Sequence, residues 1–249
     1  MLKPHLKTDF IVKSNLLQLL RSKEMALVAD ALEVIDVSIG QVLYEAGDMV
    51  HYTYFPCDKM LVSYVLLLDD ARRVETALIG REGAVGGIVS QGQLPTYCQA
   101  IVQYPGSALR IESAKLEYAK SQSVHLRHFF ARYSDCLLAQ IFQTVACNAA
   151  HTLEQRTAKW LLSVMERTGE PMVPLTQEHL AGMLGVGRSY VSRVLNKMKS
   201  QSLIRTARGR LIIDDVEALT HASCGCNAHV REHFNTVLAG IYPEELPNK

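Results

Sequence analysis

Long hydrophobic runs are missing from this sequence. No stretch reaches eighteen apolar residues, and the longest, Met60 to Leu68, is broken by Ser63 and ended by Asp69-Asp70. A spanning helix needs about 20 such residues, so no membrane partner is expected. The opening MLKPHLKTDFIVKSN has lysines and an aspartate where a secretory signal needs an unbroken apolar segment, which points to a cytoplasmic protein. Cysteine is sparse: six residues (57, 98, 136, 147, 224, 226) are spread over 249, so no small disulfide framework is expected and reduced thiols are the default. Equally absent are a phosphate-binding loop, an HExxH motif and a Gly-x-Ser-x-Gly elbow. Nothing pairs a nucleophile with a base at a readable spacing, so an enzyme is not expected.

Net charge is also nearly absent, at +1, but its distribution is uneven. Residues 1–120 carry 12 Lys and Arg against 14 Asp and Glu. Residues 176–210 carry seven basic residues (Arg188, Arg193, Lys197, Lys199, Arg205, Arg208, Arg210) against the single acid Glu178. Local basicity of this kind is an electrostatic footprint for a polyanion, although a solvated basic face has the same composition. With 48% hydrophobic and 20% charged residues, the chain has the composition of a folded globular protein.

Hydrophobic periodicity divides the chain. Residues 14–33 repeat at helical spacing, with Ser14 or Asn15 available as N-cap. From Val34 to about Ile111, short alternating segments are punctuated by Gly40, Gly47-Asp48, Pro56, Asp69-Asp70, Gly80, Gly83, Gly86-Gly87, Gly92, Pro95 and Pro105-Gly106. That spacing predicts an all-β sandwich or barrel, with strands at 41–44, 52–55, 60–68, 73–79, 98–103 and 107–111. Residues 113–167 contain neither Gly nor Pro. Within them Leu126, Phe130, Tyr133, Leu137, Ile141, Thr144 and Asn148 recur at spacings of 4, 3, 4, 4, 3 and 4, a narrow seam of coiled-coil type. A helix over 123–149 bearing this seam either packs across its own domain or dimerises. A second amphipathic helix is expected at 153–166, ended by Gly169 and Pro171.

The last third reads as a helix at 177–184 capped by Thr176, a turn at Gly185, a helix from 188 to about 199, and two short strands joined by the basic turn Ala207-Arg208-Gly209-Arg210. In LGVGRSYVSRVLNKM, Val191, Val194, Leu195 and Met198 share one helical face, while Arg188, Ser189, Ser192, Arg193 and Asn196 share the other. Helix, glycine turn, helix and basic-tipped hairpin form the layout of a winged helix-turn-helix. Its second helix can lie in the major groove of double-stranded DNA, where an arginine bonds guanine O6 and N7 bidentately. Lys197, Lys199, Arg208 and Arg210 suit phosphate contacts that position without specifying.

LTQEHLAGMLGVGRSYVSRVLNKMKSQSLIRTARGRLII at 175–213 resembles the DNA-binding domain of the bacterial regulators typified by the cyclic-AMP receptor protein and FNR. GQVLYEAGD at 40–48, the YFP that follows and ALIGREGAVGG at 77–87 resemble that family's effector domain. IGREG and GSALRI look most like an alphaproteobacterial subgroup. The resemblance implies an α+β chain: an antiparallel jelly-roll domain of cyclic-nucleotide-binding type with N-terminal helices (1–115), a central helix that dimerises (116–150) and a winged helix-turn-helix (151–220); residues 221–249 beyond it read as a C-terminal helical extension. It implies a homodimer joined through the 123–149 helix, RNA polymerase as a further partner, and Arg193 at the guanine-reading position. Arg188 falls on an arginine that contacts bases or backbone in some members. Ser189 stands where many members have a base-reading glutamate, so the half-site is not transferable.

The effector is the open question. By the same resemblance, cyclic-AMP binding takes a Gly-Glu-x-Gly cassette followed by Arg-Ser. Here the cassette reads Gly80-Arg81-Glu82-Gly83, and Cys98-Gln99 stand in place of Arg-Ser. A buried phosphate with no cation opposite it is strongly disfavoured, which argues against cyclic AMP in its usual pose. Cysteines are lacking near the N-terminus, which argues against the family's iron–sulfur cluster. Haem would require paired ligands such as His51 and Cys57. In the tail, His221, Cys224, Cys226, His229 and His233 are weak candidates for a soft metal or a redox pair, against Cys-x-Cys being an uncommon zinc spacing. The expectation is a regulator controlled by an unidentified effector at the β domain. Its alternatives are a constitutive DNA-binding protein with a vestigial effector site, and a metal- or redox-responsive regulator using the tail.

Overall fold

The computed structural model describes residues 9–70, 72–88 and 94–239. The turn residue Gly92, most of the N-terminal segment read above as lacking a signal, and the last ten residues of the extension lie outside the described residues.

Ser14 caps α1 (Asn15–Gln18) by accepting a hydrogen bond from the Leu17 amide, and α2 (Ser22–Val28) follows. The single helix expected over 14–33 is therefore broken. Leu16 and Leu17 are fully buried, and the chain leaves the helical conformation at Arg21, whose ψ is 157°, before α2 begins. Strand β1 (Glu33–Val37) then pairs antiparallel with β7 (Gly106–Glu112), which in turn pairs with β3 (Tyr52–Pro56). A second sheet has the order β2 (Val42–Tyr44), β6 (Gln99–Tyr104), β4 (Leu61–Leu67), β5 (Arg73–Ile79). The two antiparallel sheets enclose a core of Tyr44, Val62, Ile79, Val85, Ala100 and Val102.

Helix α3 (Ser113–Gln122) leads into α4 (Val124–Ala150), whose N-cap Ser123 accepts from the Leu126 amide. The periodic residues Leu126, Phe130, Tyr133 and Leu137 are buried against the chain's own β domain, and Asn148 is exposed. That seam is an intrachain one. A different stripe of α4 is unpartnered: Leu138 is 46% exposed, Phe142 63% and Val145 64%. Sequence spacing could not separate the two stripes, because both repeat every three or four residues and lie only about 100° apart on a helix of 3.6 residues per turn.

Thr152 and Gln155 form a capping box that starts α5 (Leu153–Thr168), and Gly169 ends it in the left-handed conformation. Below it pack α6 (Gln177–Leu184), α7 (Arg188–Ser200) and a small sheet in which β10 (Arg210–Ile213) lies between β8 (Met172–Val173) and β9 (Ile204–Ala207). Helix α8 (Val216–Ala222) packs on α5. Helix α9 (Cys226–Val237) runs back along α4, and Phe234 and Leu238 enter the core with Leu16, Leu17 and Phe130. The C-terminal extension is thus a strap from the helix-turn-helix end to the β domain.

Candidate functional site

Thr176 caps α6 by accepting from the His179 amide, and Gly185, at φ 66°, turns the chain into α7. Val191, Val194, Leu195 and Met198 are buried against Leu180, Met183 and Leu184, as the apolar half of the periodicity requires. The opposite half faces solvent. Arg188, Ser189, Arg193 and Asn196 are exposed and Ser192 is half-buried. Arg193 stacks over the ring of Tyr190, 4.9 Å from its centroid. Tyr190 is an exposed aromatic on this face that sequence reasoning passed over. Its spacing of three from Arg193 was the available signal.

Surface ion pairs hold parts of the basic cluster. Arg188 lies 3.8 Å from Glu178, Lys197 donates to Glu154 at 2.8 Å, and Arg205 meets Asp214 at 3.1 Å. Arg208 and Arg210 sit exposed at the hairpin tip, where Gly209 adopts φ 71°. In this arrangement an exposed helix face carries two arginines near its N-terminal end, flanked by basic side chains on a hairpin. It can offer hydrogen-bond donors to base edges and cations to phosphates.

The effector cassette is arranged differently. Glu82 is 2% exposed, and its Oε1 accepts from Arg167 Nε of α5 at 2.7 Å and from the Gly80 amide at 3.1 Å. Gly83 packs so closely under Tyr133 of α4 that a Cβ would come within 2.5 Å of the hydroxyl. That hydroxyl donates to the Ala84 carbonyl and accepts from its amide, both at 2.9 Å. Arg81 is half-buried. Cys98 and Gln99 do not join the cassette. Gly80 follows the end of β5 where Ile79 pairs with Val62, whereas Gln99 pairs with Val65 at the other end of β4. Gln99 is buried and donates to Glu45 at 2.6 Å, and burial pushes the Cys98 thiol up to about 11. The two halves of the expected effector site are therefore apart, because strand pairing sends them to opposite ends of one sheet.

His51 and Cys57 flank β3 at opposite ends, about 20 Å apart along a strand of 3.3 Å per residue, and so do not face one iron. Burial pushes the Cys57 thiol up to about 12.

Of the tail candidates, His221, His229 and His233 are exposed and gather nothing. Cys224 and Cys226 do gather, with partners that sequence reasoning missed: Cys147 in the last turn of α4 and His151 just after it. One ligand atom from each of the four lies within 4.8 Å of the others. Only a fold that lays the α8–α9 turn on the end of α4 brings them together, and no local spacing announces it.

The helix-turn-helix end is joined to the β domain through α5 and α6. Trp160 Nε1 donates to Glu75 Oε1 at 2.8 Å, and Ser63 donates to the other oxygen of that half-buried side chain. Burial holds the Glu75 pKa above the usual carboxylate value. Arg72 Nη1 donates to the Gly185 carbonyl at 3.3 Å.

Residues 155–222 match the family described as the Crp-like helix-turn-helix domain. The fold is similar to that of FixK2 from Bradyrhizobium japonicum, at 18% identity and a TM-score of 0.65 over 78% of this chain and 98% of that one. It is similar to a CRP-family transcriptional regulator from Thermus thermophilus, at 20% identity and a TM-score of 0.64 over 76% and 96%. A third likeness is to the c-di-GMP responsive global regulator CLP of Xanthomonas campestris, at 13% identity and a TM-score of 0.63 over 78% and 100%. No curated protein is similar to the chain.

Proposed function

We propose that the chain, which carries a Crp-like helix-turn-helix domain under a fold similar to that of Crp/Fnr regulators, is a transcription regulator and acts as a homodimer reading an inverted-repeat operator through the outer face of α7. One observation carries the reading: the side of α7 that holds Arg188, Ser189, Arg193 and Asn196 is open to solvent, while its other side is fully committed to the core. Arg193 is the base-reading residue, Arg188, Ser189, Ser192 and Asn196 contact base edges or adjacent phosphates, and Lys197, Arg208 and Arg210 contact the backbone.

Dimerisation runs through Leu138, Phe142 and Val145 of α4. Large apolar side chains at spacings of 4 and 3 along the exposed side of a long helix form a seam that a second copy covers. A two-fold dimer then presents two α7 helices to half-sites about 10–10.5 base pairs apart. The signal sensed by the β domain is not cyclic AMP in the usual pose: the cassette carboxylate is already engaged by Arg167, and no arginine stands at Cys98-Gln99. Action in the cytoplasm together with RNA polymerase completes the proposal.

Selection from a randomised DNA pool at physiological salt tests it. An enriched inverted repeat is expected. Arg193→Ala should lose the preference among sequences while keeping salt-sensitive nonspecific binding. Equal loss of both would overturn the groove assignment. Phe142→Glu should yield folded monomers with weak operator binding, and a Phe142→Glu protein that stays dimeric in sedimentation would refute the seam.

A further inference from the structure

Four soft-metal ligands converge at the joint between the central helix and the DNA-binding end. Cys147 lies in the last turn of α4. His151 belongs to the two-residue link, His151-Thr152, that joins α4 to α5. Cys224 and Cys226 flank Gly225 in the turn between α8 and α9. Cys147, Cys224 and Cys226 are buried, and His151 is half-buried.

All four ligand atoms lie within 4.8 Å of one another, and two of the separations are those of a coordination shell. Cys147 Sγ and Cys224 Sγ are 3.6 Å apart, and Cys226 Sγ lies 3.5 Å from His151 Nδ1. Around one zinc ion, bonds of about 2.3 Å to sulfur and 2.0–2.1 Å to nitrogen place tetrahedral ligands about 3.8 Å (S to S) and 3.5 Å (S to N) apart. A sulfur separation of 3.6 Å is far from a disulfide, whose bond is about 2.05 Å. The surroundings fit as well. Gln143 Nε2 donates to Cys226 Sγ at 3.1 Å, as outer-shell donors do for metal thiolates. Arg156 and Lys159 of α5 lie within electrostatic reach of the cysteine sulfurs, and the buried Nε of Arg156 has no hydrogen-bond partner among the described residues. A divalent ion held by three thiolates and one neutral imidazole carries a net charge of −1, which these cations balance.

We propose that Cys147, His151, Cys224 and Cys226 form a closed tetrahedral site for a zinc ion that fastens the C-terminal strap to the α4–α5 joint. Three thiols lose their protons to solvent as three metal–sulfur bonds form, and His151 binds through Nδ1 as a neutral imidazole. All four positions are filled by protein, so the site is structural rather than catalytic. It ties together the end of the dimerisation helix, the link to the DNA-binding end and the root of α9. That link is where α7 is aimed relative to α4. The inference does not depend on whether α7 reads DNA, since metal content reports on it alone.

The test uses the full-length protein, purified under reductant. About one zinc per chain is expected by elemental analysis. After chelation, titration with cobalt(II) should produce the intense visible bands of a tetrahedral ion and a sulfur-to-metal charge-transfer band, displaced by zinc. Zinc should also protect Cys147, Cys224 and Cys226, but not Cys98, from alkylation, and slow amide exchange in 147–156 and 224–230. Cys224→Ser and His151→Ala should lose the stoichiometric zinc, whereas His221→Ala and His229→Ala keep it. Folded, reduced wild-type protein that binds neither zinc nor cobalt would overturn the proposal, and that result needs no variant to fold. Loss of zinc in His229→Ala with retention in His151→Ala would move the site elsewhere and overturn it equally.

Discussion

The outer face of α7 and the Gly80–Gly83 cassette both looked like places where a ligand could be held, yet the chain treats them in opposite ways. On α7 the polar side chains stop at solvent, and their intrachain partners are exposed ion pairs of the kind worth about 0–1 kcal/mol. In the cassette the carboxylate, the amides and the glycine space are used internally by Arg167, Gly80 and Tyr133. A face kept free at little cost can bind from outside. A loop whose buried carboxylate pairs with Arg167 of the DNA-binding end links the two ends of the molecule.

Substitutions can break this contrast, and the largest effect belongs to the cassette. Arg167→Ala leaves the Glu82 carboxylate buried without its cation, so a loss of about 3–5 kcal/mol is expected in chemical denaturation. Glu82→Gln with Arg167→Met should recover much of it. A cost below about 0.5 kcal/mol for Arg167→Ala would mean that the pair does not hold the two ends together.

On α7 the magnitudes invert. Arg193→Ala should change folding stability by no more than about 0.5 kcal/mol, as exposed sites do. It should cost about 1–3 kcal/mol of discrimination at one base pair, read from competition between operator variants. A large stability loss with discrimination intact would erase the distinction between the two regions.

Glu75 gives a pH signature for the junction. Its folded-state pKa lies above the unfolded value, so the native state keeps a proton that the unfolded chain releases first. Stability from this group is complete below the ordinary carboxylate range and falls as pH rises toward its elevated value. Glu75→Gln should flatten that slope in unfolding curves recorded from acid to neutral pH, and an unchanged slope would assign it to another group. The smallest effect is expected at Lys197. Lys197→Ala should lower the salt dependence of DNA binding by about one phosphate contact, with sequence preference unchanged.

Legibility followed the range of the interactions. The winged helix-turn-helix was readable because Val191, Val194, Leu195 and Met198 repeat at 3.6-residue spacing and Gly185 and Gly209 mark turns that need positive φ. The two stripes of α4 were readable as periodicity but not as partners, so Leu137 and Leu138 could exchange roles. The tail cysteines were visible, but Cys147 is 77 residues from Cys224, and local spacing is silent at that distance.

By itself, then, the sequence determined the order and type of most elements, though not β1 or the break between α1 and α2, together with the basic outer face of α7 and the lack of a spanning helix, because backbone propensity, periodicity and turn chemistry act over a few residues. Tertiary structure alone decided that Glu82 faces Arg167, that Phe142 rather than Leu137 is left open for a partner, and that Cys147 and His151 meet Cys224 and Cys226. Each of these depends on two distant segments being brought within a few ångströms, and burial of the common core, not any local signal, sets that distance.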